Sequence, residues 1–258
     1  MARDQQPSRR RAHAVAVSVA ALAIGGTALA EAPASAADRT RGHDVSSHQR
    51  DVDWPGAWAA GARFVYVKAT ESHTYRSPYF RRQYDGSRAA GLVRGAYHFA
   101  LPHRSSGTAQ AAHFVANGGH WTPDGWTLPP ALDIEHNPYG NRTCYGLTRA
   151  RMVAWIRSFS DEVRRRTGRL PVIYTTAKWW NACTGGSTAF GRHPLWLARW
   201  SASPGALPSG WSAWTFWQYS DGSDGSGGSD DGDGGGRLPG DQDLFHGSTA
   251  QLREFARG

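Results

Sequence analysis

Short apolar runs recur along the chain, separated by longer stretches of mixed polarity. The runs at 42–46 (GHDVS), 63–70 (RFVYVKAT), 95–100 (GAYHFA), 130–135 (PALDIE), 171–176 (PVIYTT), 195–200 (LWLARW) and 214–219 (WTFWQY) predict strands. Between them, 149–166 repeats Met152, Ile156, Phe159 and Val163 at helical spacing and stops at Gly168, which predicts a helix. Segments 78–90 and 106–117 predict weaker helices, the second entered through Ser105 and Ser106 as caps. This β-α-β-α rhythm predicts an α/β fold with a parallel sheet, open or closed into one barrel. The Trp-rich late strands, joined by short connections, predict a less regular final part.

One of these runs carries candidate chemistry. In PPALDIEHN, residues 129–137, the prolines at one end and Asn137-Pro138 at the other bound a short strand. Side chains alternate along a strand, so Asp133 and Glu135 share one face while Leu132 and Ile134 share the other. Two carboxyl groups held together out of water cannot both ionise easily, so one pKa rises. An acid beside a carboxylate at neutral pH is the pairing that glycoside cleavage uses. A bare D-x-E is also common as two structural carboxylates, so its neighbours have to decide.

Bulk properties narrow the setting. Arg3, Arg9, Arg10 and Arg11 precede a small, apolar stretch at 14–30 and then Ala34-Ser35-Ala36. That order predicts a secretory signal over 1–36, with cleavage near Ala36 or Ala37, and one domain over 37–258. Nothing further predicts a membrane span, so the exported chain is expected to be free of the membrane. Cys144 and Cys183 are the two cysteines, both in the exported part, which predicts one disulfide and argues against a metal site. Net charge is +8, of which four Arg against Asp4 and Glu31 contribute +2 in the signal, leaving about +6. Such a balance favours a polyanion; the scattered arginines and missing motifs argue against nucleic acid, and a negatively charged cell wall suits an exported protein better. Twelve Trp and nine Tyr make a sugar-stacking cleft plausible. Residues 221–236, DGSDGSGGSDDGDGGG, match no complete calcium loop and predict a flexible acidic loop.

Asp44 ends the first predicted strand and Asp241 opens DQDLFHG at the last. In a parallel barrel, residues at strand ends converge on one mouth, so Asp44, Asp133, Glu135 and Asp241 are candidates for one acidic cluster.

With those residues in view, the chain resembles the family 25 glycoside hydrolases, the Chalaropsis-type lysozymes. The likeness runs over roughly 41–250 and rests on GHDVSSHQ, FVYVKATES, GAYHFA followed by SSGTAQA, LDIEHN, VIYTT, PLWLARW, FWQYS and DQDLFHG. It looks closest to the secreted actinomycete muramidases. The resemblance implies a single irregular (β/α) TIM-like barrel and hydrolysis of the β-1,4 bond between N-acetylmuramic acid and N-acetylglucosamine. It implies Glu135 as general acid/base, Asp133 as the carboxylate that orients the substrate's acetamido group, and retention of configuration. Asp44 and Asp241 match the family's first-strand and last-strand acids, with Asp243 as a near competitor for the second. It also implies a Cys144–Cys183 disulfide, no metal or organic cofactor, bacterial peptidoglycan as partner, a monomer, and action outside the cell. Tyr66, Tyr97, Tyr174 and Trp200 are candidate sugar-stacking residues, and Lys68, on the strand face of Tyr66 and Thr70, is a candidate counter-charge. Two positions depart from the family pattern: Ser72 stands where Gly is usual, and Arg50 where a smaller residue or Glu is common. A chitinase would carry a further acid at position 131, which is Ala131, and a silent wall-binding lectin would have no need of the acid pair.

Overall fold

In the computed structural model, nine strands form one sheet among the described residues, which are 39–222 and 238–258 with Met1 and Ala2. In chain order the elements are β1 (Thr40–Val45), α1 (Trp54–Ala59), β2 (Phe64–Glu71), β3 (Tyr75–Arg76), α2 (Phe80–Ala89), β4 (Val93–Phe99), α3 (Gly107–Ala116) and β5 (Ala131–Asp133). There follow α4 (Arg149–Thr167), β6 (Val172–Thr175), α5 (Ala177–Thr184), β7 (Leu195–Ala198), β8 (Phe216–Ser220), β9 (Asp241–Phe245) and α6 (Thr249–Arg257). The expected signal, beyond its first two residues, and the acidic loop, beyond Asp221 and Gly222, lie outside the described residues.

Eight strands bond in the order β1-β9-β8-β7-β6-β5-β4-β2, and β1 pairs again with β2, so the sheet closes into a barrel with β3 hung on β2. Every pairing around the barrel is parallel except the two made by β9. The chain leaves β8 at the mouth, where the parallel strands end, and re-enters β9 at that same mouth, so β9 must run backwards. No helix is described between β7 and β8, which is the predicted irregularity late in the chain.

Helix ends follow the local chemistry. The α4 helix starts where the Thr148 hydroxyl accepts from the Arg151 N–H, and it stops at Gly168 with φ 77°. Met152, Ile156, Phe159 and Val163 are all fully buried, as their spacing required. The α6 helix opens with a reciprocal capping box between Ser248 and Gln251. Its Leu252 and Ala256 join the barrel's inner cluster and close the end opposite the mouth.

Alternation along the strands divides the core. Phe64, Tyr66, Tyr97, Tyr174, Trp196 and Phe216 fill the barrel, whereas Val65, Val67, Leu132, Ile134 and Ile173 pack outward against Phe114, Ile156 and Phe159 of the helices. Two glycines make room for the inner rings. A Cβ at Gly42 would lie 2.4 Å from the Phe64 ring, and one at Gly95 would lie 2.3 Å from the Tyr66 ring.

Candidate active site

The barrel mouth holds a cavity of about 230 Å³ lined by Asp44, Asp133, Glu135 and Asp241 together with Lys68, Tyr97, Tyr174 and Gln218. The four acids of the predicted cluster therefore meet, from β1, from the end of β5 and just beyond it, and from the start of β9. Asp44 and Asp241 are register partners across the β1–β9 pair. Strand β5 ends at Asp133, but Ile134 N–H still donates to Tyr174 O at 3.0 Å, which carries the alternation one residue further. Asp133 and Glu135 thus both face the cavity while Leu132 and Ile134 face the helices.

Burial dominates the electrostatics. It pushes the Asp133 carboxyl well up, reinforced by Glu135 and opposed by Lys68. Glu135 is also raised by burial, against the pull of His136, whose Nδ1 lies 3.4 Å from Glu135 Oε2. Asp44 rises through burial and the nearby Asp241 and Asp243, against its bond from Gln218. Asp241 is pushed up to about 6 by burial and by Asp221. Asp133 Oδ1 is buried without a hydrogen-bond partner among the described residues. Lys68 answers Glu71 directly, with Nζ 2.7 Å from Oε2, and sits 4.8 Å from the centre of the Phe99 ring.

A β-bulge between Lys68 and Thr70 breaks the alternation expected there. Lys68 reaches the cavity as foreseen, but Thr70 does not share its face. Its hydroxyl meets His98 Nδ1 at 2.8 Å, and that ring stacks on Phe159 in the helical layer. Tyr66 also departs from its expected role. It is fully buried one layer below the mouth, stacked on Trp196 with its hydroxyl donating to Pro129 O at 3.0 Å, so no sugar reaches it. Tyr97 and Tyr174 do line the cavity. Trp200 stands beside it, 61% exposed, with Nε1 donating to Gln218 Oε1 at 2.9 Å.

The competitor Asp243 lies one inward position below Asp241. It is fully buried and accepts from Trp196 Nε1 at 2.8 Å, so Asp241 is the β9 acid at the cavity. Sequence reasoning missed Gln218. Its Nε2 donates to Asp44 Oδ2 at 2.8 Å and to Asp241 Oδ2 at 3.0 Å, and its Oε1 accepts from Tyr174 Oη at 2.9 Å. The one available signal was a polar residue on the inward row of an aromatic strand. Tyr75 and Tyr139 are exposed and outside the cavity lining, and the Tyr139 hydroxyl is hydrogen-bonded to Glu71. The loop after Glu135 is tied down by the Cys144–Cys183 disulfide, which joins it to α5, and by Trp179 Nε1 donating to Thr143 O at 3.1 Å.

Residues 43–227 match the model of the glycosyl hydrolases family 25. The chain belongs to that family. Among similar family 25 proteins, an N,O-diacetylmuramidase of Arthroderma benhamiae is 43% identical over 94% of this chain and 99% of its own. Lysozyme M1 of Streptomyces globisporus is 46% identical over 84% of this chain and 71% of its own. The solved structure of the bacterial lysozyme from Streptomyces coelicolor superposes with a TM-score of 0.77 at 44% identity, covering 84% of this chain and 97% of that one. The family's irregular barrel is the architecture described above.

Proposed function

We propose that this family 25 protein is a lysozyme that hydrolyses the β-1,4 bond between N-acetylmuramic acid and N-acetylglucosamine in bacterial peptidoglycan. The observation that carries the reading is that Asp133 and Glu135 share one cavity, each with its pKa raised by burial. Full-length relatives named as muramidase and lysozyme supply the substrate class.

In this reading Glu135, its carboxyl raised by burial, gives its proton to the leaving glycosidic oxygen and later takes one from the attacking water. The substrate's own acetamido oxygen attacks the anomeric carbon, and Asp133 holds the acetamido N–H, for which its unpartnered Oδ1 is suited. Two successive displacements at one carbon retain its configuration. Asp44 and Asp241, held by Gln218, hold sugar hydroxyls and bias the protonation of the pair. Tyr97, Tyr174 and Trp200 contact the sugars. Residues 1–36 direct export, and the mature chain acts outside the cell as a monomer. Turbidity clearing of bacterial walls tests the assignment: Glu135→Gln is expected to abolish clearing, and equal lysis by both proteins would overturn it. Mass spectrometry of the released fragments should show muramic acid at the new reducing end. Reducing ends from chitin but not from walls would count against the bond named here.

A further inference from the structure

Opposite the mouth, the barrel carries a belt of arginines laid on tryptophans. At 3.9 and 4.0 Å from the centre of the Trp126 ring, Arg88 and Arg253 stand too close for two guanidiniums to share one face, so they flank it. Arg63 lies 4.1 Å from the centre of the Trp58 ring, and Arg169 4.9 Å from that of Trp121. Arg94 donates to Trp126 O and Thr127 Oγ1, both at 2.7 Å. A Cβ on Gly125 would lie 3.2 Å from Arg257 Nε, so Arg257 extends the belt from α6. All of these arginines sit at the starts of the parallel strands, in the α2 end that feeds β4, or on α6, which places them at the end of the barrel remote from Glu135.

The charge of this belt is unbalanced. Arg63, Arg88, Arg94, Arg169, Arg253 and Arg257 face two side-chain carboxylates, and the backbone end at Gly258 lies against Arg169 Nη1. Asp124 lies 3.9 Å from Arg94 and is already engaged by the Trp126 and Thr127 amides, and Glu254 is paired with Arg257. Among the described residues, no ion pair to Arg63, Arg88, Arg169 or Arg253 is formed. Arg63 Nη1 donates to Trp58 O and Ala62 O, and Arg169 Nη2 to Phe255 O. Stacking on Trp126 instead holds the Arg88 and Arg253 planes in place and leaves their outer N–H groups for an acceptor, the geometry that suits phosphate. We infer that this face docks an anionic, phosphodiester-linked polymer of the bacterial wall while the acidic mouth works on the glycan. The occupant rests on the muramidase reading, since it is the wall substrate that brings such a polymer to the enzyme. Single-stranded nucleic acid fits less well, because guanidiniums already cover the Trp126 faces that unpaired bases would stack on.

Adsorption of the Glu135→Gln protein tests this without digestion of the support. Walls bearing the polymer should bind about tenfold more tightly than walls stripped of it, with binding weakening steeply between about 50 and 200 mM salt. Soluble poly(glycerol phosphate) should compete for the same face. Arg88→Gln with Arg253→Gln should weaken adsorption about tenfold and lower the salt slope by about two. With Glu135 restored, the same double variant should clear stripped walls at the wild-type rate, which also shows that it folds. Arg63→Gln alone should lower the slope by about one and serves if the double variant is unstable. Equal binding to stripped walls, an unchanged salt slope in the variants, or tighter binding of duplex DNA than of poly(glycerol phosphate) would overturn the inference. Polymer binding that persists where the wild type fails to clear stripped walls would support the docking face and count against the lytic reading.

Discussion

Asp44 and Asp241 face each other across the β1–β9 pair and accept hydrogen bonds from one donor, the Gln218 side-chain amide, at 2.8 and 3.0 Å. The other end of that amide accepts from Tyr174 and Trp200, so its orientation is fixed by four bonds. Gln218→Leu removes the shared donor while keeping the volume. It is expected to cost about 1–3 kcal/mol of stability, read by urea unfolding, and to lower wall clearing at least about tenfold. Gln218→Glu keeps the shape and sets a third carboxyl against the other two, so its activity should be low at neutral pH and recover partly in acid. Wild-type clearing by Gln218→Glu at pH 7 would show that the shared bond is dispensable.

Stability should carry the mark of Asp241. Its folded pKa, about 6, is above the ordinary 3.8, so the folded state keeps a proton that the unfolded chain releases. The stability this confers is fully present below the ordinary value and is lost as pH rises through about 6. Buried His43 and His98, lowered to about 4 and about 3, act in the opposite sense: their contribution is full above 6.5 and is lost as pH falls below it. Comparing urea midpoints of wild type and Asp241→Asn between pH 4 and 7 cancels the histidines, which both proteins share, and reads Asp241 together with the part of the Asp44, Asp133, Glu135 and Asp243 shifts that its charge causes. The wild type should lose more stability than the variant as pH rises, and parallel profiles would contradict the raised pKa.

The acid pair was legible because a strand has a period of two: once Pro129 and Pro130 mark its start, Asp133 and Glu135 must share a face. The convergence of Asp44 and Asp241 was legible because strand ends meet at a barrel mouth. Depth along the barrel axis was not. Tyr66 and Lys68 both point inward, two residues apart, yet only Lys68 reaches the cavity. The bulge that turns Thr70 away leaves no mark in an apolar run, and the direction of β9 depends on the end at which the chain re-enters the sheet. Gln218 belongs to no motif that a single sequence displays.

Ser72 has φ 54°, in the left-handed region, at the position where the family pattern usually has Gly. A side chain there costs about 1–2 kcal/mol, offset by the extra freedom glycine loses on folding. Its amide still donates to Phe99 O at 3.1 Å, a bond that glycine keeps. Ser72→Gly should therefore raise stability by up to about 1 kcal/mol without changing the rate of wall clearing. A lower unfolding midpoint would show that the Ser72 hydroxyl, 3.2 Å from His73 Nδ1, matters more than the backbone.

The disulfide spans 39 residues, so opening it should release about 4 kcal/mol of loop-closure entropy to the unfolded chain. The loop it anchors also holds the residue beside Glu135, through Tyr145 Oη donating to His136 O at 3.4 Å. Cys144→Ser with Cys183→Ser should lower stability by about that amount and reduce clearing more steeply on warming than in the oxidised enzyme. Matching temperature profiles would confine the bridge to the unfolded state.

Trp200 offers two separable functions, an exposed ring face and an indole N–H that helps orient Gln218. Trp200→Phe keeps a face and loses the bond; Trp200→Ala loses both. If the face binds sugar in ground and transition states alike, Trp200→Ala should raise KM on soluble glycan chains about fivefold, and Trp200→Phe should raise it little. If the indole bond positions Asp44 and Asp241 through Gln218, both variants should lower kcat by a similar factor, since neither can donate to Oε1. Unchanged kcat in Trp200→Phe would leave Tyr174 as the sufficient donor to that oxygen, whereas unchanged KM in Trp200→Ala would remove Trp200 from the sugar-binding surface.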